Sequence, residues 1–333
     1  MSALPVTDLN ERRAAKITVA ALDQVGVARD RLGINPIRQP RLPWDTLHDL
    51  LGYIWPESFW VIAASTGNGK SSTLMQIVNA WVDERRRVYM LPLEQPASVM
   101  RLYWAALSLR YDPRRVLEND WGKLPSDAPK QVHAHLSWQQ SEEARKLIAF
   151  SDAPFIGEAE ILPAFEDAAT FGASVIVIDH LHRIRLQGSN SYGALVSLCQ
   201  TIKECAKRFQ VPVLSAAQIH RGDGDVLAPF LPPKPTAIQG GEVVRQEADV
   251  AIGLYRPLLS TFSPEDARQV RLGQSRIKPH LEPNTVGVHV LKHRVRGDML
   301  GEIVKLRYEF GRIICPQTED RLAYERREDL QAD

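Results

Sequence analysis

The chain has 333 residues, of which 44% are hydrophobic and 24% are charged, with a formal net charge of +1 at pH 7. This length suits one large domain with appendages or two small domains, and the composition is ordinary for a folded protein with a sizeable core. The near-neutral charge argues neither for nor against nucleic-acid binding, because basic residues can be placed unevenly. Three cysteines without a CxxC spacing or a histidine cluster exclude the common zinc sites and indicate buried or idle thiols.

The N-terminal run MSALPVTDLNERRAAK contains acidic residues and lacks the apolar stretch of a secretory signal. No apolar run in the chain approaches the roughly 18–20 residues that a membrane span needs. These two patterns predict a cytoplasmic protein without a membrane partner.

Residues 8–25 have the pattern of an amphipathic helix, in which Asp8 and Glu11 would form a capping box. Residues 27–45 are rich in proline and arginine, and predict a connector. We therefore expect three parts: an N-terminal helix and connector over 1–40, a main domain over 41–318 and a C-terminal tail over 319–333.

Short apolar runs alternate with helical stretches from about Pro43 onwards. The alternation predicts an α/β domain, with a mostly parallel sheet flanked by helices. Residues 286–314 have the alternation of an antiparallel hairpin, whereas 110–150 and 257–285 have no clear period. Strands are predicted at 60–63, 88–91, 174–178, 211–215 and 250–254, and helices at 72–84, 97–109 and 192–208.

The run ASTGNGKS, from Ala64 to Ser71, predicts a phosphate-binding loop between a strand and a helix. Two glycines would permit close backbone approach to phosphate. Lys70 would reach the β and γ phosphates of ATP or another NTP, and the Ser71 hydroxyl would ligate Mg²⁺. A chance glycine-rich turn is the alternative, and Ala64 departs from the usual first glycine. The predicted nucleotide contacts are Ser65, Thr66, Gly67, Asn68, Gly69, Lys70, Ser71 and Ser72.

Two carboxylates are candidates for the chemistry. Asp179 ends the apolar run 174–178, where a magnesium-orienting carboxylate is expected; a turn or cap residue is the alternative. The next residue is His180, whereas many ATPases carry a glutamate base there. Glu94 follows strand 88–91, which we expect to lie next to the phosphate-loop strand, and we predict that Glu94 is the general base. A helix N-terminal acid stabilised by the dipole is the alternative.

Gln218 follows the strand 211–215, where a neutral amide would sense the γ-phosphate and pass its presence to the loop beyond. An ordinary polar residue at a strand end is the alternative.

Together with the phosphate loop, five motifs occur in order: LPLEQPASVMR (91–101), SVIVIDHLHRI (174–184), LSAAQIHRG (214–222), GGEVVRQEADVAIGLYR (240–256) and VLKHRVRG (290–297). From about residue 40 to 314, the chain resembles the motor domain of DnaB-like replicative helicases and of phage primase-helicases.

The resemblance implies a RecA-like motor that forms a hexameric ring, hydrolyses ATP with Mg²⁺ at subunit interfaces and translocates along single-stranded DNA as a 5′–3′ helicase. It also implies a primase or another replisome protein as a partner. By this likeness Glu94 is the base, Asp179 the magnesium carboxylate and Gln218 the sensor. Lys292 and Arg294 would point into the neighbouring site and neutralise transition-state charge there. A solvated strand edge is the alternative, and Arg296 could equally take this role.

The loops after Asp179 and after Gln218 would line the central channel of such a ring. Both are poor in aromatic residues, so contacts with DNA phosphates are favoured over base stacking, and a merely solvated loop is the alternative. The cations available in the second loop are Arg221, Lys234 and Arg245.

We recognise neither a primase segment nor a large N-terminal collar domain ahead of the motor. Only the predicted helix 8–25 precedes it, and in the family a linker helix there docks on the neighbouring subunit. Two other functions therefore stay open. One is a RecA-like recombination or regulatory ATPase that does not unwind DNA, and the other is an ATP-gated module that loads or anchors another protein on DNA.

Overall fold

The computed structural model describes residues 39–151, 153, 156–186, 191–219, 232–234, 238, 241–256, 285–309 and 312–314. Apart from Gln39, all of these belong to one compact unit that spans Pro40–Asp333. The predicted helix 8–25, Arg221 and nearly all of the irregular stretch 257–285 lie outside the described residues.

The apolar runs form strands and the amphipathic stretches form helices, with bounds that differ from the predicted ones by a few residues. None of the described helices combines the length and the apolar character that crossing a membrane requires. The elements in chain order are α1 (Asp45–Leu51), β1 (Phe59–Ala64), α2 (Lys70–Asp83), β2 (Val88–Pro92), α3 (Ala97–Ser108), α4 (Pro113–Leu117), α5 (Ala128–Gln139), α6 (Glu142–Arg145), β3 (Ile148–Phe150), α7 (Ile161–Phe171), β4 (Val175–Asp179), α8 (Ser191–Phe209), β5 (Val213–Gln218), α9 (Gly241–Glu247), β6 (Val250–Tyr255), β7 (Thr285–His293), β8 (Ile303–Glu309) and β9 (Arg312–Ile314).

The described strands form one sheet in the order β3-β2-β4-β5-β1-β6-β7-β8-β9. The pairs among β1 to β6 are parallel, and β7, β8 and β9 continue the sheet in antiparallel pairs. Successive residues of β1 enter different cores: Trp60 and Ile62 pack on one face, and Phe59 and Val61 on the other. The fold is therefore the predicted α/β class, a mostly parallel sheet buried on both faces by helices.

The expectation that β2 lies next to β1 was wrong. The neighbours of β1 are β5 and β6, and both β4 and β5 separate β2 from β1. A crossover connection can carry the chain past the adjacent position in the sheet, so that later strands are inserted between earlier ones. A short apolar run does not specify which strands it will pair with. The carboxyl ends of β1, β2, β4, β5 and β6 nevertheless share one edge of the sheet, because these strands are parallel.

Residues 110–150 are more regular than their sequence pattern indicated. They form α4, α5, α6 and β3, and the short helices begin at side-chain caps: Asp112 accepts from the Arg114 N–H, and Ser141 from the Ala144 N–H. The short length of most of these elements hides their period in the sequence. Four of their apolar residues form a separate small cluster with Ala105 and Ala106 of α3: Tyr111, Val116, Ala128 and Val132.

Candidate active site

The loop from Ser65 to Gly69 joins the carboxyl end of β1 to the first turn of α2. Gly67 and Gly69 have φ angles of 83° and 87°, in the left-handed region that favours glycine. A Cβ atom at Gly69 would also lie 3.0 Å from the Tyr308 hydroxyl. The backbone conformation therefore favours glycine at this second position, and a side chain there would also press on Tyr308.

Lys70 is the first residue of α2, and its side chain is buried at the loop. Its ammonium group donates a hydrogen bond to the carbonyl oxygen of Ala64, at 3.1 Å. Burial lowers the pKa of Lys70, and the nearby charges of Glu94 and Asp179 partly offset this shift. The loop lysine and the two candidate carboxylates therefore interact electrostatically in one site.

Neighbouring strands β2 and β4 bring the two carboxylates together. The backbone N–H groups of Leu93 and Glu94 both donate to the carbonyl oxygen of Asp179, at 2.6 Å and 2.9 Å. Glu94 precedes α3, which begins at Ala97, so it stands outside the first turn of that helix. The position of Glu94 thus follows from pairing with β4 and not from adjacency to β1.

The Asp179 side chain is 1% exposed, and neither of its oxygens has a hydrogen-bond partner among the described residues. Burial and the nearby charge of Glu94 raise the pKa of Asp179, whereas the Ser71 hydroxyl, which is close but outside hydrogen-bond geometry, and the charges of His180 and Lys70 lower it. A buried carboxylate beside a hydroxyl, with its lone pairs unused, offers the oxygen ligands that Mg²⁺ prefers.

Glu94 and His180 contact each other, with 3.0 Å between Glu94 Oε2 and His180 Nδ1. This hydrogen bond is the main cause of a lowered pKa at Glu94, and burial opposes it. Because an ionised carboxylate only accepts hydrogen bonds, Nδ1 of the buried histidine must donate. The ligand atoms of Glu94, Asp179 and His180 lie within 4.8 Å of one another, a spacing that could also hold a metal ion.

Gln218 is the last residue of β5, and its side chain reaches the phosphate loop. Its Nε2 donates to the Thr66 hydroxyl at 3.2 Å, and its backbone N–H lies 3.3 Å from His182 Nδ1. The amide therefore connects the end of β5 to the loop directly, in the place where a γ-phosphate sensor was predicted.

An open cavity of about 550 Å³ lies over the phosphate loop. Two polar pairs on its wall were missed by the sequence analysis. Arg256 places its guanidinium 3.5 Å from the centre of the Tyr308 ring, and Asp112 holds Arg114 through both carboxylate oxygens, at 3.2 Å and 2.9 Å. The lining residues are Thr66, Gly67, Gly69, Lys70, Ser71, Ser72, Glu94, Gln95, Tyr103, Asp112, Pro113, Arg114, Arg256 and Tyr308.

A signal in the sequence could have identified one of these residues. Arg256 directly follows the buried strand β6, at the edge of the sheet where the parallel strands have their carboxyl ends and the other site residues lie. Tyr308 gives no such signal, because it lies within the antiparallel strand β8, and only the tertiary fold brings it to Gly69.

The candidate trans cations lie at the opposite edge of the sheet from the phosphate loop. Lys292 pairs with Ala251 near the start of β6, and β6 runs parallel to β1. Arg294 and Arg296 follow the end of β7 at this same edge. The six residues of β1 span roughly 17 Å, so these cations are remote from the phosphate loop of their own chain.

The three cations differ in exposure: Lys292 and Arg296 are partly buried, whereas Arg294 is exposed. Burial and the charge of Arg294 are the leading causes that lower the pKa of Lys292 to about 8. Their contacts are as follows: Lys292 Nζ donates to the carbonyls of Arg245 and Gln246, both at 2.6 Å; Arg296 Nη1 donates to those of Asp49 and Leu50, both at 2.8 Å; and Arg294 Nη1 pairs with Asp249 Oδ1 at 3.1 Å.

Of the predicted DNA-binding cations, Arg221 lies outside the described residues. Lys234 is exposed, beside Pro233, whose carbonyl lies 2.9 Å from His289 Nδ1. Arg245 is partly buried within α9. Lys234 therefore offers the more exposed charge of the two cations that the structure describes.

The profile of the DnaB-like helicase C-terminal domain matches residues 44–309, which is most of the chain. The replicative DNA helicase DnaB of Pasteurella multocida (strain Pm70) is 22% identical over 271 residues, 78% of this chain and 55% of that protein. The replicative DNA helicase DnaC of Bacillus subtilis (strain 168) is 25% identical over 206 residues, 59% of this chain and 42% of that protein. The chain thus spans about half the length of these curated relatives.

Two solved structures have the same fold. The ATPase domain of G40P aligns with a TM-score of 0.62 at 18% identity, over 90% of this chain and 98% of that chain. A DnaB-like replicative helicase, described with its interactions with primase, aligns with a TM-score of 0.62 at 18% identity, over 83% of this chain and 61% of that chain. The motif order, the RecA-like sheet and the profile match agree, and this chain belongs to the DnaB-like helicase C-terminal domain family.

Proposed function

We propose that this chain is the ATP-hydrolysing motor of a ring-forming replicative DNA helicase that translocates along single-stranded DNA. The observation that carries the proposal is the meeting of Lys70, Ser71, Asp179 and Glu94 around one phosphate loop. A strand-turn-helix alone would bind phosphate, whereas a buried acid and a positioned base beside it are what hydrolysis requires. Membership of the helicase family supports the same function.

The phosphate loop would hold the substrate NTP. Its backbone N–H groups, from Ser65 to Ser72, would surround the phosphates at the start of α2. The Lys70 ammonium would leave the Ala64 carbonyl for the β and γ phosphates, an exchange of a neutral acceptor for a charged one. The nucleoside would occupy the part of the cavity that Tyr308 and Arg256 line.

Asp179 and Ser71 would hold Mg²⁺, which would neutralise charge that develops on the β and γ phosphates. The unpartnered oxygens of Asp179 fit this role. Glu94 would accept the proton of the attacking water while the hydrogen bond from His180 fixes its orientation. Gln218 would sense the γ-phosphate beside Thr66 and pass its presence to the loop that follows.

Arg294, with Lys292 beside it, would complete the site of a neighbouring subunit. Its distance from the phosphate loop of its own chain supports a role in trans, and its exposure favours it over Arg296. Sites shared between subunits require a closed ring, which we propose to be a hexamer. Within it, Arg221, Lys234 and Arg245 would contact DNA phosphates, and a primase or another replisome protein would be a partner.

The experiment that tests hydrolysis is Lys70→Ala. We expect ATP turnover to be abolished because the change removes the cation that contacts the phosphates. Turnover is measured by phosphate release with and without single-stranded DNA, and Lys130→Ala, at an exposed position on α5, is the control. Unchanged turnover in folded Lys70→Ala protein would remove the site assignment.

Strand displacement separates the helicase from its two alternatives. We expect the unaltered chain to unwind a duplex whose single-stranded tail ends 5′, and not a duplex whose tail ends 3′. DNA-stimulated hydrolysis without strand displacement from either tailed duplex would instead favour the recombination or regulatory ATPase. Nucleotide-dependent DNA binding without hydrolysis would favour the loading module.

A further inference from the structure

A buried acid, Asp249, stands directly before β6 at the edge opposite the phosphate loop. Its side chain is 3% exposed, and three groups surround it. Its Oδ2 accepts from the backbone N–H of Phe59 at 2.8 Å and pairs with the ammonium of Lys203, while its Oδ1 pairs with Arg294 Nη1 at 3.1 Å. Two cations for one carboxylate leave a net positive group, of which only Arg294 reaches solvent.

Arg294 is held to this acid at both ends. Its backbone N–H donates to the Asp249 carbonyl at 2.8 Å, and its Nη2 donates to the Gln246 carbonyl at 3.3 Å. The side chain is still 49% exposed, so the guanidinium keeps one face for a further anion. These contacts fix the direction of the Arg294 side chain and leave its guanidinium exposed to solvent.

Asp249 also connects this arginine to the phosphate loop of its own chain. Phe59 is the first residue of β1, and β1 runs without interruption to Ala64, where the loop begins. A buried strand with neighbours on both sides moves as a rigid unit, so the direction of Arg294 is set relative to that loop.

We infer that Asp249 is a positioning residue, which aims Arg294 at the γ-phosphate held by an adjacent copy of the chain. The inference rests on the proposed function of Arg294. Lys203 serves the same end, because its ammonium pairs with the buried carboxylate while also donating to the carbonyl oxygen of Glu57, at 2.9 Å. Without the carboxylate, the exposed arginine would lose its ion pair and sample other rotamers.

The test is Asp249→Asn in the full chain. The amide keeps the size of the side chain and an acceptor for the Phe59 N–H, but it removes the charge that holds Arg294. We expect ATP turnover to fall at least 10-fold, since an arginine supplied in trans is worth roughly 10³–10⁵ in rate. Binding of a fluorescent ATP analogue should stay as in the unaltered chain, because each phosphate loop is intact.

Mixed oligomers decide between positioning and a general structural role. Asp249→Asn subunits mixed with Lys70→Ala subunits should regain turnover, because an intact loop then meets an intact Asp249–Arg294 pair from its neighbour. The same subunits mixed with Arg294→Ala should not recover. Co-assembly is verified by native mass spectrometry, and Arg294→Ala mixed with Lys70→Ala is run in parallel.

Each outcome has one reading. Recovery of ATP turnover in the mixture of Asp249→Asn and Lys70→Ala subunits supports the inference. If turnover recovers only in the mixture of Arg294→Ala and Lys70→Ala subunits, the inference is overturned and the proposed function stands. Failure of both mixtures removes the trans role of Arg294 itself. Unchanged or higher turnover in Asp249→Asn also overturns the inference. If that variant does not fold, Asp249→Asn with Lys203→Met replaces it, since no buried charge is then left unpaired.

Discussion

At the residue scale, Glu94 and His180 form the contact on which hydrolysis should depend most. We expect Glu94→Gln to bind nucleotide normally and to lower ATP turnover by roughly 10²–10⁴, because an amide accepts no proton from water. We expect His180→Ala to lower turnover less, by roughly 10- to 100-fold, the cost that is typical when a side chain that orients a metal ligand loses its hydrogen bond to it. His180→Asn should restore part of the activity, since its amide N–H can donate to Glu94 Oε2. Phosphate release measures hydrolysis, and binding of a fluorescent ATP analogue measures nucleotide affinity.

The control for these variants is His133→Ala, at an exposed position on α5. It should leave turnover and nucleotide affinity as they are in the unaltered chain. Full activity in Glu94→Gln, with loss of turnover in His180→Ala, would show that the base has been misplaced.

At the scale of elements, α2 closes the edge of the sheet through one glutamine. Gln76 accepts from the Ile313 N–H at 2.9 Å and donates to the Ile313 carbonyl at 3.2 Å, so its amide pairs with β9 as a further strand would. We expect Gln76→Leu to lower the free energy of unfolding by about 1–3 kcal/mol, because a buried N–H loses its acceptor. Urea denaturation measures the change, and Gln140→Leu, at an exposed position after α5, is the control. Equal losses in both variants would contradict the pairing role.

At the scale of the whole molecule, the sequence before the described residues should join subunits. Deleting residues 1–30 removes the predicted helix 8–25 and no described element. We expect the truncated chain to fold, with an unchanged near-ultraviolet circular dichroism spectrum, and to form weaker oligomers, because the helix is predicted to dock on a neighbour. Sedimentation velocity over a concentration series measures the assembly. The same oligomer at every concentration would show that this helix is dispensable.

Local patterns in the sequence were sufficient for the phosphate loop and for the strands and helices around it. Gly67, Gly69 and Lys70 lie within a few residues of one another, so their spacing alone specifies a turn with inward N–H groups and a cation. The alternation of apolar runs with amphipathic stretches likewise indicated the α/β class, because burial on one face or on two imposes a period that the sequence displays directly.

The order of the strands was decided only by the tertiary structure. Glu94 was chosen on the expectation that β2 adjoins β1, but it reaches the site because β2 pairs with β4 and so meets Asp179. Tyr308 likewise reaches Gly69 only because β8 folds back beside β7. Every apolar run satisfies burial equally well at several places in a sheet. The choice among them depends on crossovers and on packing between residues far apart in the chain, which no local pattern contains.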